Sequence, residues 1–453
     1  MDLFGTAGIR GDVTERVTPG LVLDVARALG DHAREAGDRE FVVGRDGRVT
    51  GPALAAAAEA GLESAGVDVR RIGQVPTPAL AFASRGRRGV MLTASHNPPT
   101  DNGVKAFVDG VEYGEAVEAA VEERVAAGGA PTDWDEWGDG ADEDVLGAYR
   151  SAVVEYAREF GADPEGVRVA VDCGNGMSAL ATPQVLRELG ADVVTLNATV
   201  DGHFPGRESK PTPESLADLR AFVADGAADF GIGHDGDSDR IVVVDAGGEV
   251  VHEDTVLAVL AERYVAASDA GDPAVVTTPN ASGRIDERVE AAGGRVERVA
   301  LGYLHDGIAS AREAGGDVVF AAEPWKHVHT AFGDWIDAVA SAAVFTRLVA
   351  DEGLNGLRAP VTERPYRKVS VACPDDDKAA AMERLAETLP AAFPTAAVNS
   401  EYGVRLSFPD GSWTLVRPSG TEPYVRVYAE RDEVDPFVEE VAGVVESAVE
   451  AVG

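Results

Sequence analysis

Apolar positions along the first two thirds of the chain recur in two periods, and the switching between them lays out alternating helices and strands. Leu21 to Ala36 has helical spacing, and Phe41-Val42-Val43-Gly44 is a short continuous apolar run of the kind a buried strand needs. Ala53 to Ala65 reads as an alanine-rich helix, and Val67-Asp68-Val69 begins the next strand. Val75-Pro76-Thr77-Pro78 reads as a stiff turn, because each proline fixes φ and removes a donor. A further apolar run, Gly89-Val90-Met91-Leu92, predicts a buried strand, and Ala116 to Ala127 a helix. Gly128 to Asp144 is rich in Gly, Asp and Glu without a period, which is the composition of a linker.

The pattern then repeats. Tyr149 to Phe160 is helical and Val167 to Asp172 is a strand. The Gly-rich Cys173-Gly174-Asn175-Gly176, a helix to Leu189 and a strand over Asp192 to Leu196 follow. This βαβ unit invites a dinucleotide reading, but Gly174-x-Gly176 lacks the third glycine of that fingerprint. Two apolar runs, Ala228 to Gly233 and Ile241 to Asp245, bracket a cluster of aspartates. Strands are predicted again near Ala274–Thr277, Arg295–Val299 and Val318–Ala321, each flanked by a helix-like segment. After Gly353 the period-two alternation of antiparallel strands takes over at Val369–Val371, Val404–Phe408, Trp413–Val416 and Val425–Tyr428, with helices over Asp376 to Thr388 and Pro436 to Ala451. The expected fold class is therefore α/β: three α/β domains of similar type over 1–140, 145–248 and 249–355, and a C-terminal α+β domain over 360–453.

Composition narrows the function. The chain has 453 residues, enough for several cores. It has no apolar run of the roughly 18 residues that a membrane span needs, and its N-terminus lacks the features of a signal peptide. A cytoplasmic location follows as an expectation. The two cysteines, Cys173 and Cys373, lie too far apart in sequence to suggest a metal cluster or, in a reducing cytosol, a disulfide. There are 78 acidic residues against 40 Lys and Arg, a formal net charge of −38, and only five of the cations are lysines. A field this negative repels nucleic acid and anionic membranes. With 45% hydrophobic residues and clear periodicity the chain is nevertheless a folding one. The balance fits a halophile's protein, a halophilic archaeon's in particular, in which concentrated salt screens the self-repulsion. On that hypothesis the melting temperature should climb through a molar KCl series, and a flat or falling series would refute it.

Four stretches carry chemistry. In Thr93-Ala94-Ser95-His96-Asn97-Pro98 the serine follows a buried strand and precedes two prolines, so Ser95 is expected on a turn at a strand end, with His96 beside it. A hydroxyl there can act as a nucleophile or carry a phosphoryl group. Asp235, Asp237 and Asp239 alternate in Asp235-Gly236-Asp237-Ser238-Asp239-Arg240; read as an extended loop, the spacing points all three carboxylates one way. An oxygen-only set of that kind suits Mg²⁺, and Arg240 adds a cation for phosphate. Arg417-Pro418-Ser419-Gly420-Thr421-Glu422-Pro423, with Arg426 beyond it, supplies arginines, hydroxyls and a glycine amide and reads as a phosphate cradle. Near the start, Phe4 to Gly11 is a Gly-rich turn that includes Arg10. Lys105, one of the few lysines, is a candidate base whose pKa would be depressed by Arg10 and a metal.

Taken together and in this order, Gly5-Thr6-Ala7-Gly8-Ile9-Arg10-Gly11, the Thr93–Pro98 loop, the Asp235–Arg240 loop and the Arg417–Pro423 loop resemble the motifs of the α-D-phosphohexomutases, the family of phosphoglucomutases, phosphomannomutases and phosphoglucosamine mutases. The resemblance spans the whole chain. It implies a four-domain, heart-shaped enzyme around a central cleft. Ser95 would be the phosphoserine and a metal ligand, and Asp235, Asp237 and Asp239 the remaining protein ligands of Mg²⁺. Arg10, Lys105 and Arg240 would line the reaction centre, and Arg417, Ser419, Gly420, Thr421 and Arg426 would hold the phosphate that is not reacting. One loop departs from the pattern. The family's sugar loop reads Gly-Glu-x-Ser-Gly and then His or Gly, whereas this chain has Ala322-Glu323-Pro324-Trp325-Lys326-His327. Glu323 is retained for the sugar hydroxyls. Trp325 either stacks on the sugar or packs between domains, and Lys326, His327 or His329 would supply the missing polar contact.

The implied reaction interconverts hexose 1-phosphate and hexose 6-phosphate through a bound hexose 1,6-bisphosphate, which would also act as activator. The substrate would be a glucosamine, mannose or glucose phosphate. The Gly420-Thr421-Glu422-Pro423 form of the cradle leans towards glucosamine. A monomer or homodimer is expected, with no nucleic-acid or membrane partner. Two alternatives use the same residues: a metal-dependent sugar-phosphate phosphatase, which has no need of a phosphoserine loop or a distant cradle, and a non-catalytic sugar-phosphate binding protein, which leaves Ser95 and Lys105 without a purpose.

Overall fold

A computed structural model describes residues 3–5, 8–419 and 422–452. The chain forms two compact units, residues 1–253 with 325–357 and residues 254–324 with 358–453. The segment 249–355 is thus divided between them.

In the first unit the N-terminal sheet contains β1 (Ile9–Asp12), β2 (Glu40–Arg45), β3 (Asp68–Gln74), β4 (Arg88–Leu92), β5 (Asp101–Val108), β6 (Val111–Glu112) and β7 (Gly140–Asp142). Its order is β1-β5-β4-β2-β3-β7, with β6 on β5. The strands β4, β2, β3 and β7 run parallel, while β5 is antiparallel to both β4 and β1. Helices Pro19–Ala36 and Gly51–Ser64 bury Val22, Val25, Leu29, Leu54 and Leu62 against Phe41, Val43, Val69 and Val90 of the sheet. The first helix has explicit start and stop signals. The Thr18 side chain accepts from the Leu21 amide at 3.3 Å, Pro19 opens the helix, and Gly37 closes it at φ 93°.

The structure revises two expectations here. The stiff turn at Val75–Pro78 opens a helix, Thr77–Ala83, because its prolines fall in the first turn, where a missing donor costs nothing. The Gly128–Asp144 linker contains β7, paired on the edge of the sheet. Asp101–Val108, for which the hydrophobic pattern predicts no element, is a strand buried for most of its length.

The second sheet of this unit has the order β11-β10-β8-β9, from β8 (Arg168–Asp172), β9 (Asp192–Leu196), β10 (Phe230–His234) and β11 (Ile241–Val244). Strands β9, β8 and β10 are parallel and β11 is antiparallel to β10. In both sheets the parallel run passes into an antiparallel β-hairpin, and each hairpin loop carries one of the chemical motifs: residues 93–100 between β4 and β5, and residues 235–240 between β10 and β11.

The second unit contains the parallel strands β12 (Pro273–Thr277), β13 (Arg295–Arg298) and β14 (Asp317–Glu323). After β15 (Lys326–Val328) of the first unit, it continues in a five-stranded antiparallel sheet. That sheet is ordered β16-β20-β19-β18-β17, from β16 (Tyr366–Ala372), β17 (Ala397–Asn399), β18 (Val404–Ser407), β19 (Trp413–Pro418) and β20 (Tyr424–Glu430). Helices Lys378–Ala392 and Val434–Glu450 cover one face through Leu385, Leu389, Val441 and Val445. On the other face Trp413 donates to Glu430 Oε2 at 3.0 Å, and Arg284 of the α/β part donates to Oε1 at 3.0 Å, a buried joint between the two parts of this unit.

Candidate active site

Ser95 sits at the tip of the β4–β5 hairpin, fully buried and at φ 51°, a left-handed conformation rarely held by a serine. Its posture is fixed from below. The Ser95 amide donates to Thr93 Oγ1 at 2.9 Å, and Thr93 donates to Asp46 Oδ2 at 2.8 Å. Arg48, with no exposed surface, completes the support. Its Nε donates to Asp46 at 3.0 Å, Nη1 to the carbonyls of Pro98 at 2.5 Å and Asp101 at 2.8 Å, and Nη2 to those of Ser95 at 3.0 Å and Asn97 at 2.8 Å. All five guanidinium donors are thereby used, four of them on the backbone of the serine loop. Replacing Arg48 with Met should cost on the order of 3–5 kcal/mol, because it strands the buried Asp46 carboxylate and four carbonyls at once. Denaturant melts check this, and a change within about 0.5 kcal/mol, the range of an ordinary surface substitution, would show that the loop supports itself.

The aspartate loop meets the serine from the second sheet. Ser95 Oγ donates to Asp235 Oδ2 at 2.7 Å and lies 3.4 Å from Asp239 Oδ1. Gly236 makes this approach possible: a Cβ there would stand 2.6 Å from the Ser95 carbonyl. The loop is a turn, with Ser238 at φ 66°, and the convergence of its acids does not arise from period-two alternation. Asp235 Oδ1 accepts the amides of Asp239 at 3.1 Å and Arg240 at 3.2 Å, which folds the loop back on itself. Thr77 clamps the middle acid, its hydroxyl donating to Asp237 Oδ2 at 2.7 Å and its amide to the Asp237 carbonyl at 2.9 Å.

Around the acids stand cations. Lys105 Nζ donates to Asp239 Oδ2 at 3.3 Å and lies 3.8 Å from Asp237 Oδ2. Its place follows from the hairpin, since Lys105 on β5 is the register partner of Met91 on β4. Arg240 Nε is 3.7 Å from Asp239 Oδ1 and 3.9 Å from Asp235 Oδ2. Arg10, on β1 opposite Gly103, keeps Nε and one Nη buried without a hydrogen-bond partner among the described residues. His96 Nδ1 is 3.3 Å from Ser95 Oγ; burial and then Arg240 lower its pKa to about 3, so the ring is neutral at pH 7.

Three buried carboxylates, each offering an oxygen within 4.8 Å of the others, are crowded. Burial and then the charges of Asp239 and Asp237 push the Asp235 carboxyl well above its usual range. Burial works the same way on Asp239, but Lys326, Lys105, Arg240 and Arg10 together hold it well below. Asp237 Oδ1 is buried with no hydrogen-bond donor among the described residues. Oxygen-only ligands, mutual repulsion and an orphaned lone pair are what a hard divalent cation would resolve, and Asp235, Asp237 and Asp239 are the residues that fit one. The expected depression of the Lys105 pKa is not found. Burial opposes its charge, but Glu112, Asp239 and Asp237 outweigh burial and raise it.

Lys326 Nζ is 3.4 Å from Asp239 Oδ2, at the serine end. Trp325 is half-buried against an apolar cluster that includes Leu216, Leu219 and Val223, with the Arg240 guanidinium 5.9 Å from its ring centre. His327 and His329 are buried and both hydrogen-bonded to Ser341 Oγ, at 3.0 and 2.8 Å, so neither presents its ring to solvent. Glu323, in the second unit, accepts the Gly302 amide on Oε1 at 2.5 Å.

In the second unit Arg417 and Arg426 are cross-strand partners on β19 and β20. Like charges directly opposite one another are destabilising unless an anion lies near them. Arg417 donates to Tyr428 OH at 2.9 Å and keeps Nε buried without a partner among the described residues, while Arg426 pairs with Glu422. The Ser419 amide donates to the Tyr424 carbonyl at 2.9 Å, and Lys378 holds the loop through the carbonyls of Ser419 at 2.7 Å and Glu422 at 2.6 Å. Gly420 and Thr421 lie outside the described residues, as do Thr6 and Ala7 of the opening motif.

Parts of the chain match models of a known protein family. Residues 1–131 match "Phosphoglucomutase/phosphomannomutase, alpha/beta/alpha domain I", residues 148–248 the corresponding domain II, and residues 369–447 the C-terminal domain. A phosphopentomutase of Thermococcus kodakarensis is 42% identical over 437 residues, covering 95% of this chain and 94% of that protein. The chain belongs to the phosphoglucomutase/phosphomannomutase family. A probable phosphoglucosamine mutase of Methanopyrus kandleri is 41% identical, covering 99% of each chain. Among solved structures, a phosphoglucomutase/phosphomannomutase family protein from Burkholderia thailandensis superposes with a TM-score of 0.86 at 26% identity, covering all of this chain and 97% of that one. As a member of the family the chain is a sugar-phosphate mutase with a multidomain α/β architecture. No helix of the described residues is long and apolar enough to cross a membrane.

Sequence reading missed Asp46, Arg48, Thr77 and Lys378 as parts of the machinery. For the first two a signal was present: an acid and an arginine two residues apart immediately after a buried strand, in Arg45-Asp46-Gly47-Arg48. Thr77 and Lys378 act through distant partners and have no local signature.

Proposed function

We propose that the enzyme interconverts sugar 1-phosphates with their terminal-phosphate isomers by way of a phosphorylated Ser95, with glucosamine phosphate as the leading substrate. The observation that carries the reading is Ser95 Oγ held 2.7 Å from Asp235 inside the aspartate triad, with Lys105, Lys326 and Arg240 each within 3.9 Å of one of its carboxylates. Phospho-Ser95 donates its phosphoryl group to the free hydroxyl of the bound sugar phosphate, and the P–O bond to Ser95 breaks as the bond to the sugar oxygen forms. After the bisphosphate turns over, Ser95 Oγ takes back the other phosphoryl group and the isomer leaves.

Such a transfer depends chiefly on positioning and charge neutralisation. Asp235, Asp237 and Asp239 would hold Mg²⁺, which supplies charge stabilisation for the phosphoryl oxygens. The Arg48–Asp46–Thr93 support fixes the hydroxyl. Lys105, Arg240 and Arg10 offer donors to phosphate, and the proton of the acceptor hydroxyl ends on Ser95 Oγ as the serine is released. The arginines 417 and 426, with Ser419, Gly420 and Thr421, are assigned the phosphate that is not reacting, and Glu323 the sugar hydroxyls.

The glucosamine assignment leans on several relatives named as probable phosphoglucosamine mutases. The Thermococcus relative, named a phosphopentomutase, favours a second reading in which the sugar is a pentose. Specificity constants on glucosamine, glucose, mannose and ribose 1-phosphates, measured with and without added bisphosphate activator, decide between them. A preference of tenfold or more for the pentose, about 1.4 kcal/mol of discrimination, would replace the first reading with the second. Turnover of none of these sugars would reject both.

A further inference from the structure

Two of the chain's five lysines converge on one carboxylate oxygen: Lys105 Nζ lies 3.3 Å and Lys326 Nζ 3.4 Å from Asp239 Oδ2. The other oxygen, Oδ1, faces Ser95 Oγ at 3.4 Å and Arg240 Nε at 3.7 Å. The acid is thereby divided, one oxygen engaged by lysines and the other turned towards the reacting hydroxyl.

Lys326 is brought there by a specific backbone posture. Trp325, immediately before it, has φ 70°, an outlying conformation for a bulky residue. Two contacts maintain it. The Trp325 carbonyl accepts the Ile241 amide at 3.0 Å, tying the segment to the strand that leaves the aspartate loop. The indole packs on the apolar cluster around Leu216 and Leu219. With both fixed, the next side chain is directed at Asp239, and its surface is 12% exposed. A freely solvated lysine would not require a strained residue to aim it.

We propose that Lys326 is a positioning residue of the phosphoryl-transfer end: with Lys105 it occupies Asp239 Oδ2, so that Asp239 presents a single oxygen to Ser95 and to the cation of the triad. This rests on the reading of Asp235, Asp237 and Asp239 as a divalent-cation site. Without Lys326, Oδ2 has only Lys105 beside it, a cation can take both oxygens of Asp239, and one repelling charge is gone. Binding then tightens while the geometry at Ser95 is lost.

The test is Mn²⁺ binding, followed by electron paramagnetic resonance, to the full chain in wild-type, K326M, K326Q and K326R forms, alongside kcat and KM at saturating Mg²⁺. K326M and K326Q should bind Mn²⁺ about tenfold more tightly, since a unit charge a few ångströms away has been removed. Their kcat should fall by about tenfold or more, with KM for the sugar phosphate within about threefold of wild type. K326R should restore both. A merely structural residue would weaken Mn²⁺ binding and turnover together. A sugar contact would raise KM and leave Mn²⁺ affinity unchanged, and an idle surface ion pair would change nothing. Each of these three outcomes overturns the proposal. Absence of Mn²⁺ binding in the wild type would instead overturn the cation-site reading on which it rests.

Discussion

Ser95→Ala should abolish mutase turnover, to below about one part in 10⁴ of wild type, the scale on which removal of a nucleophile acts. The fold should survive. The hydroxyl makes one close bond, 2.7 Å to Asp235 Oδ2, and the posture of the loop is set by groups the substitution leaves in place: the Ser95 amide on Thr93, and Arg48 on the Ser95 carbonyl. Loss of one hydrogen bond costs about 1 kcal/mol, and alanine at φ 51° bears much the same strain as serine. Intact mass of the active wild type should show one covalent phosphoryl group that the variant lacks. A phosphatase acting directly through the triad would keep hydrolysing sugar phosphates in the alanine variant. Retained mutase turnover in that variant would remove Ser95 from the mechanism altogether.

The reasons some of this was legible and some was not are physical. Most strands could be read where an apolar run is continuous, as at Arg88–Leu92 and Phe230–His234, because a strand buried on both faces has no polar side to break the pattern. Strand β5 escaped because its first three residues, Asp101-Asn102-Gly103, have turn chemistry. Gly103 is there for a different reason: a Cβ would stand 2.5 Å from the carbonyls of both Ile9 and Thr93, so the close approach of β1, β5 and the serine loop requires glycine. Overlooking β5 also hid why Lys105 belongs to the site, since it is the β4–β5 register that brings it beside the acids.

The aspartates were visible as a cluster, but the supposed cause of their convergence was an extended loop, and it is a turn. Arg48 has its one signal in Asp46, two residues before it after a buried strand; the five acceptors that hold it come together only in the folded loop. Lys326 was read by its place in a loop associated with sugar, whereas its charge partner is set by the conformation of Trp325, which linear sequence does not encode. In the cradle, by contrast, the clustering of Arg417 and Arg426 about a Ser-Gly-Thr turn was enough to suggest an anion site. The pairing of the two arginines across β19 and β20 gives that suggestion a physical cost to explain.

Asp237→Asn should separate activity from stability with opposite signs. The side chain keeps its shape and loses one negative charge. In the protein without divalent cation that charge is a liability. It is fully buried, one oxygen lacks a donor among the described residues, and it stands among two other acids whose ligand atoms lie within 4.8 Å. Its partners are the Thr77 hydroxyl at 2.7 Å and Lys105 at 3.8 Å. Removing a like charge from such a cluster relieves repulsion, so in the presence of chelator the variant should melt no lower than wild type, and higher if repulsion dominates. Adding Mg²⁺ should raise the wild-type melting temperature, because a ligand bound only by the folded state stabilises it. The variant should show little of that increment. Turnover with saturating Mg²⁺ should fall by about 10²–10³-fold, the size of the loss when one preorganised electrostatic group is removed from a water-excluded site. Calorimetric melts of both proteins with chelator and with Mg²⁺, set beside their kcat values, test this. A variant that melts lower than wild type in chelator would make Asp237 a structural anchor for Thr77. One that keeps both the Mg²⁺ increment and full turnover would show that the cation, if bound at all, does not depend on this carboxylate.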